Sequence, residues 1–280
     1  MTHSIQTMTD LWTRHLKTVL AFRGALNEIA AEERKMLHES NQVFKRTRFD
    51  AIKTLRERAD EICQVLVRMA SRQFAPPGGW LNIDEHELNE KFIADFAQRH
   101  RSLRDDYSPD REEEKQLAAL RAFDPKAVWA WLEMRYGGTK GRELGYAQVA
   151  ATLIKKFKLV AGSPTKTVSG RVVLGHTVYA NSYTKGELHN SEDTAAECLR
   201  ALATVAHWRD DHLGAASDLR RLADRLRGGE KIQSREKFQV EDCLDIVTYI
   251  NRFEYRLHPG FARKLQEFIS TYGTDMKDAA

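Results

Sequence analysis

The stretch Phe74–Trp80, FAPPGGW, limits more than any other what this chain can fold into. Neither proline can continue a helix, and the two glycines after them remove the backbone's stiffness. Whatever precedes this stretch must be complete before it. What precedes it reads as two long helices over residues 9–73. Thr9 suits an N-cap ahead of Leu11 and Trp12. Apolar positions then recur through Leu16, Val19, Leu20, Leu26 and Ile29 to Leu37, and the polar run His38–Asn41 suits a turn. In the second helix Ile52, Leu55, Ala59, Ile62, Leu66 and Met69 are spaced by threes and fours, a seam that packs along its length. Two readings stay open for this hairpin: an arm that docks a partner or a second copy, and a hairpin packed on itself.

The break sets a boundary, giving a helical hairpin over 1–75. Residues 76–122 read as one amphipathic helix near Leu88–Phe96 and a charged connector, Asp105–Lys115, too polar for a core. Residues 123–280 read as an α+β domain. Asp124 and Pro125 give a cap and a first-turn proline for a helix through Tyr136, which Gly137 is placed to end in a left-handed conformation. A second helix from Gly145 has the stripe Tyr146, Val149, Ala150, Leu153, Ile154 and Phe157, with Lys155, Lys156 and Lys158 at its end. Valine, threonine and tyrosine over 165–180 predict a β-hairpin turning at Ser169 and Gly170. A helix from Ser191 follows, then a shorter one ending at Gly228 and Gly229. Strands over 244–250 and 253–257 lead to a last helix opened by Pro259. The expected class is α+β, mainly helical: a long N-terminal helical hairpin, then a mixed domain with two short β-hairpins. No internal repeat is visible.

Tyr136–Gln148, YGGTKGRELGYAQ, has the glycines and cations of a phosphate loop. Such a loop follows a strand, so that backbone N–H groups and a helix start converge on the anion. Here a helix precedes it, and the spacing matches neither GxxxxGK[ST] nor GxGxxG. A helix–loop–helix joint is the simpler reading. With the hairpin behind it, the order helix, turn, helix, wing suggests a winged-helix-like unit. A DNA-reading helix-turn-helix has a turn of about 3–4 residues, and this joint reads as longer. The polar face of the second helix offers Gln148, Thr152, Lys155 and Lys156. Glutamine reads adenine edges, and lysine holds guanine or phosphate. Lys140 and Arg142 in the joint and Lys166 and Arg171 in the hairpin complete a candidate nucleic-acid-binding surface.

Composition neither demands nor forbids that surface. Forty-four basic residues against 40 acidic leave a net charge of +4, a mild excess, so placement matters more than total. The two most basic stretches are Lys45–Arg58 and Leu219–Arg227, each readable as a solvated helix face or as a face for phosphate or an acidic partner. Cys63, Cys198 and Cys243 lie far apart in apolar segments, with no CxxC or zinc spacing, as buried reduced thiols would. The first residues lack the pattern of a signal peptide, and no run has the ~18 apolar residues of a membrane span. A cytoplasmic chain with no membrane partner is expected.

Catalytic patterns are sparse. Pro109-Asp110 with Glu113-Glu114-Lys115 spells a metal-nuclease pattern, but its parts are nearly contiguous in a segment without strand character. His207, Asp210, Asp211 and His212 gather near a helix end, where they suit a metal-dependent hydrolase or simply a polar helix terminus. Asp84–Glu87 reads as the acidic first turn of a helix. HExxH and GxSxG are absent, and no cofactor is indicated.

In Cys243–Gly273 a strand with an aromatic and Asn251 leads to a second strand and a helix ending near Tyr272-Gly273. With Tyr249, Phe253, His258 and Leu265, this run resembles the end of the bacterial domain of unknown function 4942 family. The likeness covers about a tenth of the chain, and the family's Asn-Gly turn is here Asn251-Arg252. The resemblance implies a phage, plasmid or genomic-island setting, where DNA handling or interference with host defence is common work. It carries over no catalytic residue. The first expectation is therefore a non-enzymatic protein that binds nucleic acid or a nucleic-acid-handling complex. The alternatives are a protein-interaction or oligomerisation subunit acting through the N-terminal hairpin, and the metal-dependent hydrolase.

Overall fold

A computed structural model describes residues 2–37, 49–92, 109–159, 166–177, 192–228, 233–249 and 252–273. The expected turn at His38–Asn41, the cations Lys45, Arg46 and Arg48, residues 93–108, Ser191 and Asn251 lie outside them. The chain forms two compact units, and neither is continuous in sequence. The first is Met1–Ser71 with Ile83–Tyr136; the second is Arg72–Asn82 with Gly137–Ala280. This differs from three successive segments. Phe74–Trp80 belongs to the second unit, whereas the chain returns to the first from Ile83.

The first unit is helical: α1 (Thr2–Leu37), α2 (Ala51–Phe74, whose last turn passes into the second unit), α3 (Glu85–Phe92), α4 (Pro109–Ala122) and α5 (Pro125–Tyr136). Thr9 is not a cap. It lies inside α1, and its hydroxyl donates to the Ile5 carbonyl at 3.0 Å. Aspartates cap instead: Asp50 accepts from the Lys53 N–H, Asp84 from His86 and Asp124 from Lys126, at 2.8–2.9 Å. The charged segment Pro109–Lys115 is no connector but the start of α4, which buries Leu117 and Leu120. The core takes Trp12 and Val19 from α1, Leu88 from α3 and Val128 and Leu132 from α5. The seam of α2 belongs to it too: Leu55, Ala59 and Leu66 are fully buried and Ile62 nearly so. These four seam positions are internal packing, while Ile52 and Met69 at its ends are half-buried. Among the described residues an open groove of ≈ 350 Å³ runs between α1 and α2, with Met8, Leu11, Ile62 and Val65 among its lining.

The second unit packs helices on one face of a sheet. Its elements are α6 (Thr139–Phe157), β1 (Thr167–Val168), β2 (Arg171–Thr177), α7 (Glu192–His207), a 3-10 turn (Trp208–Asp210), α8 (Leu213–Arg227), β3 (Lys237–Val240), β4 (Leu244–Tyr249), β5 (Arg252–Leu257) and α9 (Pro259–Tyr272). Both expected hairpins are present, and antiparallel pairing of β2 with β5 joins them. With β3, which the sequence reading did not place, they make one sheet of order β1-β2-β5-β4-β3. Alternation sends Leu174, Ile246, Phe253, Tyr255 and Leu257 to the inner face. There they meet Val149, Leu153 and Phe157 of α6, the alanine-rich α7, and Phe261 and Phe268 of α9. Small residues on α7 let α8 lie close against it.

The FAPPGGW stretch is a strap across this unit. The side-chain amide of Gln148 brackets Asn82, accepting from its N–H at 2.8 Å and donating to its carbonyl at 2.8 Å. Thr204 donates to the Gly78 carbonyl at 2.9 Å, and Leu81 is buried. Pro76 presses on Gly145, where an added Cβ would stand 2.3 Å from the proline Cδ. Two of the four glycines of Tyr136–Gln148, Gly138 and Gly145, are thereby explained. The joint is only Gly137-Gly138, α6 begins at Thr139, and it is Gly138, not Gly137, that takes positive φ (67°). Gly145 lies within the helix and admits the strap.

Candidate nucleic-acid interface

The eight candidate residues fall into separate groups. Lys140 and Arg142 lie on the first turns of α6, where the helix dipole disfavours cations. They are exposed, as is Lys155 near its end, and none of the three pairs with a described acid. Lys156 is tied to Glu197 at 2.6 Å. Thr152 donates to the Gln148 carbonyl at 2.9 Å, and Gln148 is engaged with the strap rather than presented outward. The short joint removes one objection to a helix-turn-helix, but α5 and α6 belong to different units, so that motif would have to span both.

Lys166 and Arg171 belong to a different surface, the outer face of the sheet. The register aligns three rows across β2, β5, β4 and β3. The first is Val173, Arg256, Asp245, Gln239. The second is Gly175, Glu254, Val247, Lys237. The third is Thr177, Arg252, Tyr249. Asp245 and Glu254 are buried beneath the cations. Glu254 pairs with Arg252 at 2.9 Å, Arg256 at 3.4 Å and Lys166 at 3.6 Å. Asp245 pairs with Arg171 and, at 3.7 Å, with Lys237. Burial alone would raise the Glu254 pKa, but Arg252, Lys166 and Arg256 outweigh it and hold the carboxyl below its ordinary value. Five cations on two carboxylates leave a formal surplus of three positive charges. The outer ends stay wet: the side chains of Lys166, Lys237 and Arg252 are half exposed or more. Tyr249 lies among them, with the Arg252 guanidinium over its ring at 4.9 Å and Arg256 donating to its hydroxyl at 3.1 Å.

Lys237, Arg252, Arg256 and Tyr249 were not singled out as contacts from sequence. The signal available was the alternation in RFEYRL, where Arg252, Glu254 and Arg256 interleave with Phe253, Tyr255 and Leu257.

The remaining candidates find local roles. Nδ1 of His207 lies 3.2 Å from Asp210, Asp211 pairs with Lys264 at 3.4 Å, and His212 sets its ring edge-on to Phe261. Among the described residues no group of three or more His, Cys, Asp or Glu side chains is placed to hold a metal ion. On α8, Arg221 pairs with Asp218 and Arg220 lies against Gly78 of the strap. The three cysteines are free and buried, and burial is the largest cause raising their thiol pKa values, to about 12 for Cys63 and Cys198 and about 11 for Cys243. No described helix is long and apolar enough to cross a membrane. Comparison with models of protein families, with curated proteins and with solved structures finds no match to this chain.

Proposed function

We propose that the protein binds nucleic acid, alone or within a nucleic-acid-handling complex, and catalyses no reaction of its own. The observation that carries this reading is the outer face of the sheet: five cations held in place by two buried carboxylates and open to solvent. Three of the five are arginines, whose planar forks match phosphate oxygens in pairs. Lys140, Arg142 and Lys155 add free positive charge on α6. A setting on a mobile element, which the resemblance of Cys243–Gly273 to the domain of unknown function 4942 family implies, is part of this proposal. Mobility-shift titration over a salt series tests the reading. Affinity is expected to fall steeply with salt, and Arg252→Ala with Lys237→Ala to flatten the slope by about one for each phosphate no longer neutralised. No retardation of single strand or duplex at low salt would end it.

A second reading, self-association through the N-terminal helices, needs a surface other than the buried α2 seam. The groove between α1 and α2 is one, with Leu11 42% and Val65 36% exposed. Light scattering on Leu11→Asp with Val65→Asp tests it. A wild-type chain that runs as a monomer at every concentration removes it.

A further inference from the structure

The outer face of the sheet has more than charge. Tyr249 and Arg252 stand directly opposite on β4 and β5, with the Arg252 guanidinium 4.9 Å over the Tyr249 ring at one edge of the cationic patch. Arg256 donates to the Tyr249 hydroxyl at 3.1 Å, so the ring is fixed at its hydroxyl as well as beneath the Arg252 guanidinium. Beyond Arg252 on β2 the register places Thr177 and, one row along, Gly175, both exposed and small. Among the described residues a Cβ at Gly175 would meet only the Phe253 carbonyl, at 3.5 Å.

Resting on the nucleic-acid reading above, we propose that this face takes single-stranded nucleic acid, its phosphates on the arginines and lysines and one base stacked against the Arg252–Tyr249 pair. Three features decide the form of the ligand. Among the described residues the sheet presents a broad face with no projecting helix or ribbon, and reading a duplex groove requires one. A base can stack on a ring or guanidinium only when it is unpaired. Among the described residues the patch also lacks the apolar centre of a protein interface, since its aliphatic members are Val173, which is buried, and half-buried Val247. Adjacent strands are about 4.8 Å apart, so β2 to β3 spans roughly 14 Å, room for two or three nucleotides. Asp245 and Glu254 keep the cations on the surface and turn phosphate toward their outward N–H groups.

Fluorescence anisotropy on the full chain tests this, with labelled oligo(dT), oligo(U) and the oligo(dT)·oligo(dA) duplex at low salt. Single strands are expected to bind roughly tenfold or more tightly than duplex. Tyr249→Ala should weaken single-strand binding by about tenfold, and Tyr249→Phe should stay within about threefold of wild type. Arg252→Gln, at an exposed side chain, should weaken it and reduce the salt slope by about one. Lys126→Gln, an exposed cation of the first unit, should leave it unchanged. Circular dichroism checks each variant's fold, and if Tyr249→Ala does not fold, Arg252→Gln carries the test. Equal affinity for duplex and single strand, or indifference to both Tyr249→Ala and Arg252→Gln, overturns the sheet-face proposal while leaving nucleic-acid binding in place. Failure to bind any of the three probes removes both readings. Displacement of oligo(dT) by poly-glutamate as readily as by unlabelled oligo(dT) marks a surface for any polyanion and also overturns the proposal.

Discussion

Gly145→Ala sets two ordinary effects of a methyl group against each other. In a helix interior, alanine is favoured over glycine by about 1 kcal/mol. At Gly145, however, the new Cβ would stand 2.3 Å from Pro76 Cδ and 2.7 Å from the Trp80 carbonyl oxygen. Carbon atoms in contact sit about 3.5–4.0 Å apart, so the strap must retreat by more than about 1 Å. It is not free to do so, because Gln148 holds Asn82 through two bonds of 2.8 Å and Thr204 holds Gly78 at 2.9 Å. Overpacking of this kind costs about 1–3 kcal/mol, and each strap hydrogen bond that breaks adds about 1 kcal/mol. After the gain in helix propensity the expected net loss is about 1–3 kcal/mol. Two glycines serve as controls. Gly24, inside α1, has nothing within 4 Å of a new Cβ, and Gly24→Ala should stabilise by about 0.5–1 kcal/mol. Gly138 also has open space, but its φ of 67° strains any L side chain, so Gly138→Ala should cost about 1–2 kcal/mol. Urea unfolding followed by far-UV circular dichroism and tryptophan fluorescence ranks the three. Trp80 and Trp208 report on the second unit. A Gly145→Ala midpoint above wild type would refute the packing account of this glycine.

Other expectations are simpler. His176 is buried in a nest of Phe157, Phe253 and Tyr255 rings, and burial, reinforced by Lys156, lowers its pKa to about 4. The unfolded chain then takes up a proton near pH 6.5 that the folded chain refuses. The associated stability is full above pH 6.5 and falls by roughly 3 kcal/mol toward pH 4, so the wild-type urea midpoint should drop across that window more than that of His176→Phe. Leu66→Ala, at a fully buried seam position, should cost about 2–5 kcal/mol, and Ile62→Asp with Leu66→Asp should unfold the first unit in circular dichroism instead of merely dissociating copies. Lys264 is buried, with its ammonium donating to the Ala206 carbonyl at 3.0 Å at the end of α7; Lys264→Met should cost about 1–3 kcal/mol, read as a lower melting temperature.

What could be read in advance followed the range of the interactions involved. Helix α6 was visible because Val149, Leu153 and Phe157 repeat within a few residues, and helix α9 because Pro259 opens it and Phe261, Leu265 and Phe268 follow. The turn at Ser169-Gly170 was visible because both take positive φ, and glycine does so readily. The strap was not legible as a strap. FAPPGGW says only that a helix stops, whereas Gln148 lies 66 residues from Asn82 and Thr204 lies 126 from Gly78. The glycines of Tyr136–Gln148 misled for the same reason. Gly145 looks like a helix start until its contact with Pro76 is known. The outer face of the sheet needed β2 beside β5, a pairing that single-strand alternation does not contain, and so Lys166 and Arg171 were expected in a wing rather than around Glu254 and Asp245.

The strap also governs how this gene can be divided. An expression fragment beginning at Gly137 would encode every strand of the sheet and helices α6 to α9, yet would lack Arg72–Asn82. Phe74 and Leu81 would no longer cover what they cover in the intact chain, and Gln148 and Thr204 would each be deprived of a partner. Poor behaviour of such a fragment would reflect the missing piece and not the frailty of the fold. Supplying residues 72–82 as a synthetic peptide, or splicing them ahead of Gly137 through a flexible linker, is the natural way to obtain the C-terminal half on its own.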